Sequence, residues 1–163
     1  MDAANHDELN LRRSLGRFAT GVTVVTCCAG DGTPCGITAN SFSSVSLDPP
    51  LVLWNIAKVS NSLRAYLDAS HFAIHVLGAG QRRLAEHFSR PDHTRYDGIE
   101  HTISTDNVPV LPDVLARFDC RTHQVHASGD HFIIIGEVVN HVAVDGSPLL
   151  FYSGRYSEFT GKP

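Results

Sequence analysis

The sequence has no apolar run near the roughly 18 to 20 residues that a membrane helix requires. Phe132, Ile133, Ile134 and Ile135 are adjacent, and Gly136 stops them. There is no apolar leader either. The chain opens Met1-Asp2-Ala3-Ala4-Asn5-His6-Asp7-Glu8, acidic and polar where a secretory signal is basic and then apolar. Basic residues are sparse. Thirteen Lys and Arg stand against 17 Asp and Glu, for a net charge of -4 and a pI near 6.2. No cluster is dense enough to neutralise a phosphate backbone, so nucleic-acid binding is excluded. The four cysteines, Cys27, Cys28, Cys35 and Cys120, contain no C-x-x-C pair. They read as small buried hydrophobes in a reducing cytoplasm, where the chain is expected to reside.

Nucleotide and hydrolase signatures are missing too. Gly30-Asp31-Gly32 runs into Thr33-Pro34 rather than a helix, so it is no dinucleotide fingerprint. There is no phosphate-binding G-x-x-x-x-G-K-[ST] loop and no G-x-S-x-G elbow. Ten histidines are present without an H-E-x-x-H or a Cys/His quartet, and no metal site is expected. At 163 residues the chain fits one domain, 1–163. It is too short for two nucleotide-binding domains, which excludes an oxidoreductase with separate flavin and nicotinamide domains. Its 42% hydrophobic content is enough for a core without disulfides.

What is present reads mainly as strands. Asn5-x-x-Glu8 has the form of a capping box, and Leu11, Leu15 and Phe18 recur at i, i+4, i+7. This predicts a short helix over 7–18, ended by Gly21. Residues 22–28 are β-branched and apolar on both faces, as in a buried strand. Gly30-Asp31-Gly32 turns it into a partner strand over 35–40. Further strands are expected at 42–47, 51–57 and 71–77. Ser60 is placed to cap a helix carrying Leu63, Tyr66 and Leu67, and a second helix is expected over 81–88. Residues 89–115 read mostly as loop. Phe118, Cys120 and Thr122 alternate with polar residues, the mark of a strand with one wet face. Residues 131–144 form a long strand with a bulge or bend at Gly136, and 149–152 close the pattern. Six or seven strands with three short helices that do not alternate with them imply a mainly β chain. The expected architecture is an antiparallel barrel or sandwich with helices packed outside.

Four segments can carry chemistry, and each has a plain structural reading beside it. The stretch from Thr38 to Ser46 is dense in hydroxyl and amide groups. It reads either as a solvated turn or as a set of short donors for a phosphate or a heteroaromatic edge. Ser60-Asn61-Ser62 reads as a helix cap and also as an anion-favouring helix start. Gly129-Asp130-His131 is a turn with a structural histidine, or a histidine at a pocket rim. Tyr152 and Tyr156 are packing residues, or walls for a flat ring.

Taken together the motifs resemble the short-chain flavin reductases that serve two-component flavin-dependent monooxygenases. The matching landmarks begin with Arg17-Phe18-Ala19-Thr20-Gly21-Val22-Thr23 and Gly36-Ile37-Thr38-Ala39-Asn40. The block Ser41-Phe42-Ser43-Ser44-Val45-Ser46-Leu47-Asp48-Pro49-Pro50 follows and is the most specific. Then come Ser60-Asn61-Ser62, Phe72-Ala73-Ile74-His75-Val76-Leu77, Gln81, Leu84-Ala85, Phe88, Pro109-Val110-Leu111, Gly129-Asp130-His131, Gly136-Glu137-Val138 and Pro148-Leu149-Leu150. The likeness covers residues 11–159, the expected core.

That resemblance implies an antiparallel Greek-key split β-barrel that binds FAD or FMN at a homodimer interface. It implies that Thr38, Ala39, Asn40 and Ser41 contact the isoalloxazine edge and ribityl chain. Ser44, Val45, Ser46 and Asn55 belong to the same cofactor-binding set, Ser60 and Ser62 hold the flavin phosphate, and Phe88 and Arg90 add flavin contacts. His131 stands on the nicotinamide side as the catalytic position, and Tyr152 and Tyr156 border the ring pocket. Trp54 departs from the family, where smaller aliphatics are commoner, and bears on pocket volume. The implied activity is hydride transfer from NADH, or NADPH, to free flavin, which is then handed to a separate oxygenase component. Arg83, Arg90 and Arg95 are candidates to meet a nicotinamide 2′-phosphate. Two alternatives use the same fold: a non-enzymatic flavin-binding protein, and a reductase of another acceptor such as a corrin or ferric complex.

Overall fold

β-Branched and apolar runs lay down the strands of the computed structural model, which describes residues 3–90, 96–159 and 161. The chain begins with helix α1 (Ala3–Leu15), then β1 (Thr20–Gly21), β2 (Thr23–Cys28), β3 (Pro34–Ala39), β4 (Ser43–Leu47) and β5 (Pro50–Ala57). Helix α2 (Leu63–Asp68), β6 (His71–Val76), a 3-10 turn (Ala79–Gln81) and α3 (Arg82–Phe88) follow. Two short strands, β7 (Thr102–Ile103) and β8 (Pro109–Val110), precede the long pair β9 (Ala116–Ser128) and β10 (His131–Ala143). The last two are β11 (Leu149–Tyr152) and β12 (Arg155–Glu158).

Seven strands form one antiparallel sheet in the order β3-β2-β6-β9-β10-β5-β4, with β1-β11-β12 and β7-β8 as smaller sheets. The mainly β, antiparallel class expected from the sequence is the class observed. The sheet buries both faces of β2. Val25 and Cys27 enter a cluster with Trp54, Tyr66, Phe72 and Ile134. Val22 and Val24 enter a second cluster with Leu77, Phe88, Leu111 and Leu149. Each such aliphatic or aromatic side chain contributes about 1.5–3 kcal/mol on burial. The expected bend at Gly136 is real. The β9–β10 register shifts between Ile135 and Gly136, and a Cβ at Gly136 would lie 2.5 Å from the Phe72 ring.

Several sequence expectations are corrected. The first helix spans Ala3–Leu15, not 7–18. Asn5 therefore lies inside it rather than at its cap, and Phe18 lies beyond it. The apolar stripe of Leu11 and Leu15 is exposed, because nothing among the described residues packs over it. Ser60 is not the cap of α2: Ser62 holds that position and makes no side-chain capping bond. The 89–115 loop contains β7 and β8, and β12 was not foreseen. Its sequence, Arg-Tyr-Ser-Glu, shows no apolar alternation. Trp54 is wholly buried in the first cluster.

Candidate functional site

Strand register assembles the site. On β5 and β10, Asn55 stands opposite Ile133, and Ala57 opposite His131. Directly opposed residues share a face, so these four form one patch. The other face carries Trp54 opposite Ile134 and Ile56 opposite Phe132, which fill the core. The β9–β10 turn adds Ser128, opposite His131, and the end of β3 brings Ile37, Thr38, Ala39, Asn40 and Ser41 against the patch. Together these residues line a cleft of about 470 Å³, within the size range of small-molecule sites.

Hydrogen bonds fix the walls. The Asn55 N–H donates to Ser41 Oγ at 2.9 Å, and that hydroxyl faces the Asn55 carbonyl at 3.4 Å. Asn55 Oδ1 is buried with no donor among the described residues. Thr38 Oγ1 donates to the Ala85 carbonyl at 2.6 Å, pinning β3 to α3. At the rim, His131 Nδ1–H donates to Asp130 Oδ1 at 2.8 Å. That bond holds the Asp130 carboxyl below its ordinary pKa and leaves Nε2 for a ligand. Lys58 Nζ donates to the Gly129 carbonyl at 2.6 Å, bracing the same turn.

Two further hollows adjoin this cleft through Thr38. One of about 320 Å³ is lined by Thr38, Ser60, Asn61, Phe88, Ser89 and Arg90, among others. Ser60 Oγ and Ser62 Oγ lie 3.2 Å apart beside it. The second, about 170 Å³, is lined by Val22, Thr38, Asn40, Phe151 and Tyr156. Thr38 lines all three cavities. The adjoining hollows thus set a hydroxyl-rich side with Arg90 beside a side with Asn55 and His131, an arrangement suited to a ring with a phosphorylated tail.

The expected site residues distribute unevenly. Thr38, Ala39, Asn40, Ser41, Asn55 and His131 meet in the main cleft. Ser60, Phe88 and Arg90 meet in the second hollow, with Ser62 buried behind Ser60. Tyr156 walls the third, with Arg82 over its ring at 5.7 Å. Tyr152 points elsewhere: its hydroxyl accepts from Arg17 at 3.5 Å, which lowers the phenol's pKa. Ser44, Val45 and Ser46 lie on the edge strand β4, at a bulge between Ser44 and Ser46, and line none of these hollows. Arg83 lines none of them either, and Arg95 lies outside the described residues. Sequence reasoning missed Ala57 and Ser128 as cavity lining: the register of β5 against β10 brings Ala57 there, and the tight β9–β10 turn brings Ser128 opposite His131 and Asp130 beside it. Among the described residues no group of three or more His, Cys, Asp or Glu is placed to hold a metal.

The chain as a whole is similar to known proteins. Residues 15–160 match the flavin reductase like domain family. The chain is 49% identical over 151 residues to the FMN reductase (NADH) SmoA of Agrobacterium fabrum, covering 93% of this chain and 86% of that one. It is 47% identical to the reductase component of the flavin-dependent trigonelline monooxygenase of Acinetobacter baylyi, covering 96% of this chain but 50% of that longer protein. Among solved structures, the NADH:FAD oxidoreductase SgcE6 of Streptomyces globisporus, in complex with NAD and FAD fragments, superposes with a TM-score of 0.89. It is 36% identical, with 95% of this chain and 94% of that one covered.

Proposed function

The chain belongs to the flavin reductase like domain family, and from that premise we propose that it is an NADH-dependent reductase of free FMN or FAD that supplies reduced flavin to a separate oxygenase component. The observation that carries this reading is the pair of adjoining hollows that share Thr38, one with His131 and with Asn55, whose buried Oδ1 has no donor among the described residues, and the other with Ser60 and Arg90. A flavin fits it: the ring offers an N–H to a buried acceptor, and the phosphate meets hydroxyls and a guanidinium.

Thr38, Ala39, Asn40, Ser41 and Asn55 hold the ring edge and ribityl chain. Ser60, Ser62, Phe88 and Arg90 hold the phosphate end. His131 meets the nicotinamide, its ring oriented by Asp130, and Tyr156 borders the same space. When bound, flavin supplies the hydride acceptor and NADH the hydride. The chain's own part is to hold both partners in reacting geometry and to exclude water. No side chain need move a proton for the hydride to transfer.

We read 1–163 as a single flavin reductase-like domain with a core of about 11–159, working in the cytoplasm. No helix among the described residues is long and apolar enough to cross a membrane. We further propose a homodimer. Phe18 is 78% exposed, Leu47 94% and Val59 91%, apolar surface that a second copy would cover. The same second copy would bring a wall to Ser44, Val45, Ser46 and Tyr152. NADH consumption by the purified chain with FMN or FAD added tests the activity. Flavin fluorescence quenching without NADH consumption would instead support a non-enzymatic flavin carrier.

A further inference from the structure

Cys27 and Cys35 stand directly opposite each other across β2 and β3, at equal distances from Asp31 in the connecting turn. The Ala29 N–H donates to the Thr33 carbonyl at 2.9 Å, which marks that pair as a hydrogen-bonded one. Bonded and non-bonded pairs alternate along an antiparallel ladder. Cys28 and Pro34 are thus a non-bonded pair, and Cys27 and Cys35 a bonded one. Bonded pairs hold their Cα atoms about 5.5 Å apart, inside the roughly 4.4–6.8 Å that a disulfide spans. The two side chains share a face in the cluster around Trp54 and Tyr66, and the Cys35 S–H donates to the Thr33 carbonyl at 3.6 Å. Both are free thiols.

We propose that Cys27 and Cys35 form a dithiol–disulfide pair, oxidised by hydrogen peroxide ahead of Cys28 and Cys120. The facing Cys27 thiol lowers Cys35, while Cys35 and burial raise Cys27. Burial raises Cys28 and pushes Cys120 up to about 12. Cys35 is therefore the one thiol of the four shifted toward the reactive thiolate. Its sulfur attacks a peroxide oxygen. The O–O bond breaks, one oxygen leaves as water after taking a proton, and Cys35 becomes a sulfenic acid. The Cys27 sulfur then attacks the Cys35 sulfur; the S–S bond forms, the S–O bond breaks, and the oxygen leaves with the Cys27 proton as a second water. Two thiols give one electron each, and peroxide takes both.

The source of peroxide rests on the proposed function, since reduced flavin released into solution yields hydrogen peroxide on meeting dioxygen. The chemistry of the pair does not. The cross-link would also tie down the strand that carries the site. The Cys35 carbonyl accepts the Tyr96 hydroxyl at 3.1 Å, the Phe88 ring lies against the next residue, Gly36, and Thr38 follows on the same strand.

The test needs no turnover, so it stands even if the reductase reading fails. The purified chain is treated with hydrogen peroxide, denatured and assayed for free thiols and peptide masses. The expected result is a loss of two of the four thiols, a mass lower by two hydrogens, and a peptide joining Cys27 to Cys35 that dithiothreitol separates. Cys28→Ser and Cys120→Ser should form the same link, and Cys35→Ser should keep its remaining thiols at that peroxide dose. Retention of all four thiols, oxidation beginning at Cys28, or oxygen addition to Cys35 without the link would each overturn the proposal. The peptide map of the unaltered chain decides the matter if a variant fails to fold.

Discussion

Ser41 and Asn55 hold each other across the mouth of the main cleft: the Asn55 N–H donates to Ser41 Oγ at 2.9 Å, while that hydroxyl faces the Asn55 carbonyl at 3.4 Å. One serine side chain thus ties the segment after β3 to β5, and the cleft keeps its width only while that tie stands. Ser41→Ala should leave a part-buried N–H without its acceptor, a cost of about 1–3 kcal/mol. We expect flavin affinity to fall about tenfold, the equivalent of about 1.4 kcal/mol, and Ser41→Thr to recover most of it. Fluorescence quenching titrations measure both. Unchanged affinity in Ser41→Ala would remove the tie from the account of the site.

Gly36 is a second control point. A Cβ there would sit 2.5 Å from the Phe88 ring and 3.1 Å from the Tyr96 hydroxyl. Gly36→Ala must displace Phe88, which walls the hollow holding Ser60 and Arg90. Overpacking of this kind costs about 1–3 kcal/mol. FMN binding should weaken more than riboflavin binding, because the disturbed end is the phosphate end. Gly80→Ala, where an added Cβ meets nothing within 4 Å, is the matched control in both thermal melts and titrations.

His75 makes stability depend on pH. It is fully buried, its Nδ1–H faces the Val24 carbonyl at 3.1 Å, and its Nε2 accepts from the Leu111 N–H at 3.2 Å. Burial lowers its pKa from 6.5 to about 4. The folded chain therefore binds fewer protons here than the unfolded chain, and stability rises with pH across that interval. The contribution is complete above pH 6.5 and is lost as pH falls toward 4, on the order of 3 kcal/mol at 1.36 kcal/mol per unit. Urea midpoints taken from pH 7 down to pH 4 should fall more steeply for the unaltered chain than for His75→Gln. Parallel slopes would count against this role for His75.

His131 is expected to act on the nicotinamide more than on the flavin. His131→Ala should raise the KM for NADH about tenfold, the scale of one lost charge-assisted contact, while the flavin Kd changes little. Asp130→Asn, which weakens the 2.8 Å bond orienting the ring, should shift the KM in the same direction by less. Equal loss of NADH use and flavin binding would contradict this division.

How far the sequence reveals all this depends on the range of the forces involved. β2, β5, β6 and β10 are legible because β-branched runs and local alternation decide them. The bend at Gly136 is legible because no side chain fits beside Phe72. Helix α1 misleads, since its leucine stripe is a true amphipathic pattern but has no partner among the described residues. The two tyrosines part company through local register. Phe151 faces Tyr156, and Tyr152 faces Arg155, so one tyrosine reaches the hollow with Thr38 while the other meets Arg17. Ala57 enters the site only through the pairing of β5 with β10, strands far apart in sequence, which no local pattern encodes, whereas Ser128 enters through the tight turn that sets it opposite His131. The Cys27–Cys35 contact is a different case: its symmetry about the Gly30-Asp31-Gly32 turn was readable once the hairpin was assigned.

The central claim is hydride transfer from NADH to a freely exchanging flavin in one shared cleft. It is tested most directly by mixing a small amount of the chain with NADH and excess FMN under anaerobic conditions, while following both absorbances. The expected result is one flavin bleached per NADH oxidised, continuing through many equivalents of flavin per chain. Bleaching that stops at one flavin per chain, or flavin binding with no NADH oxidation, would contradict it.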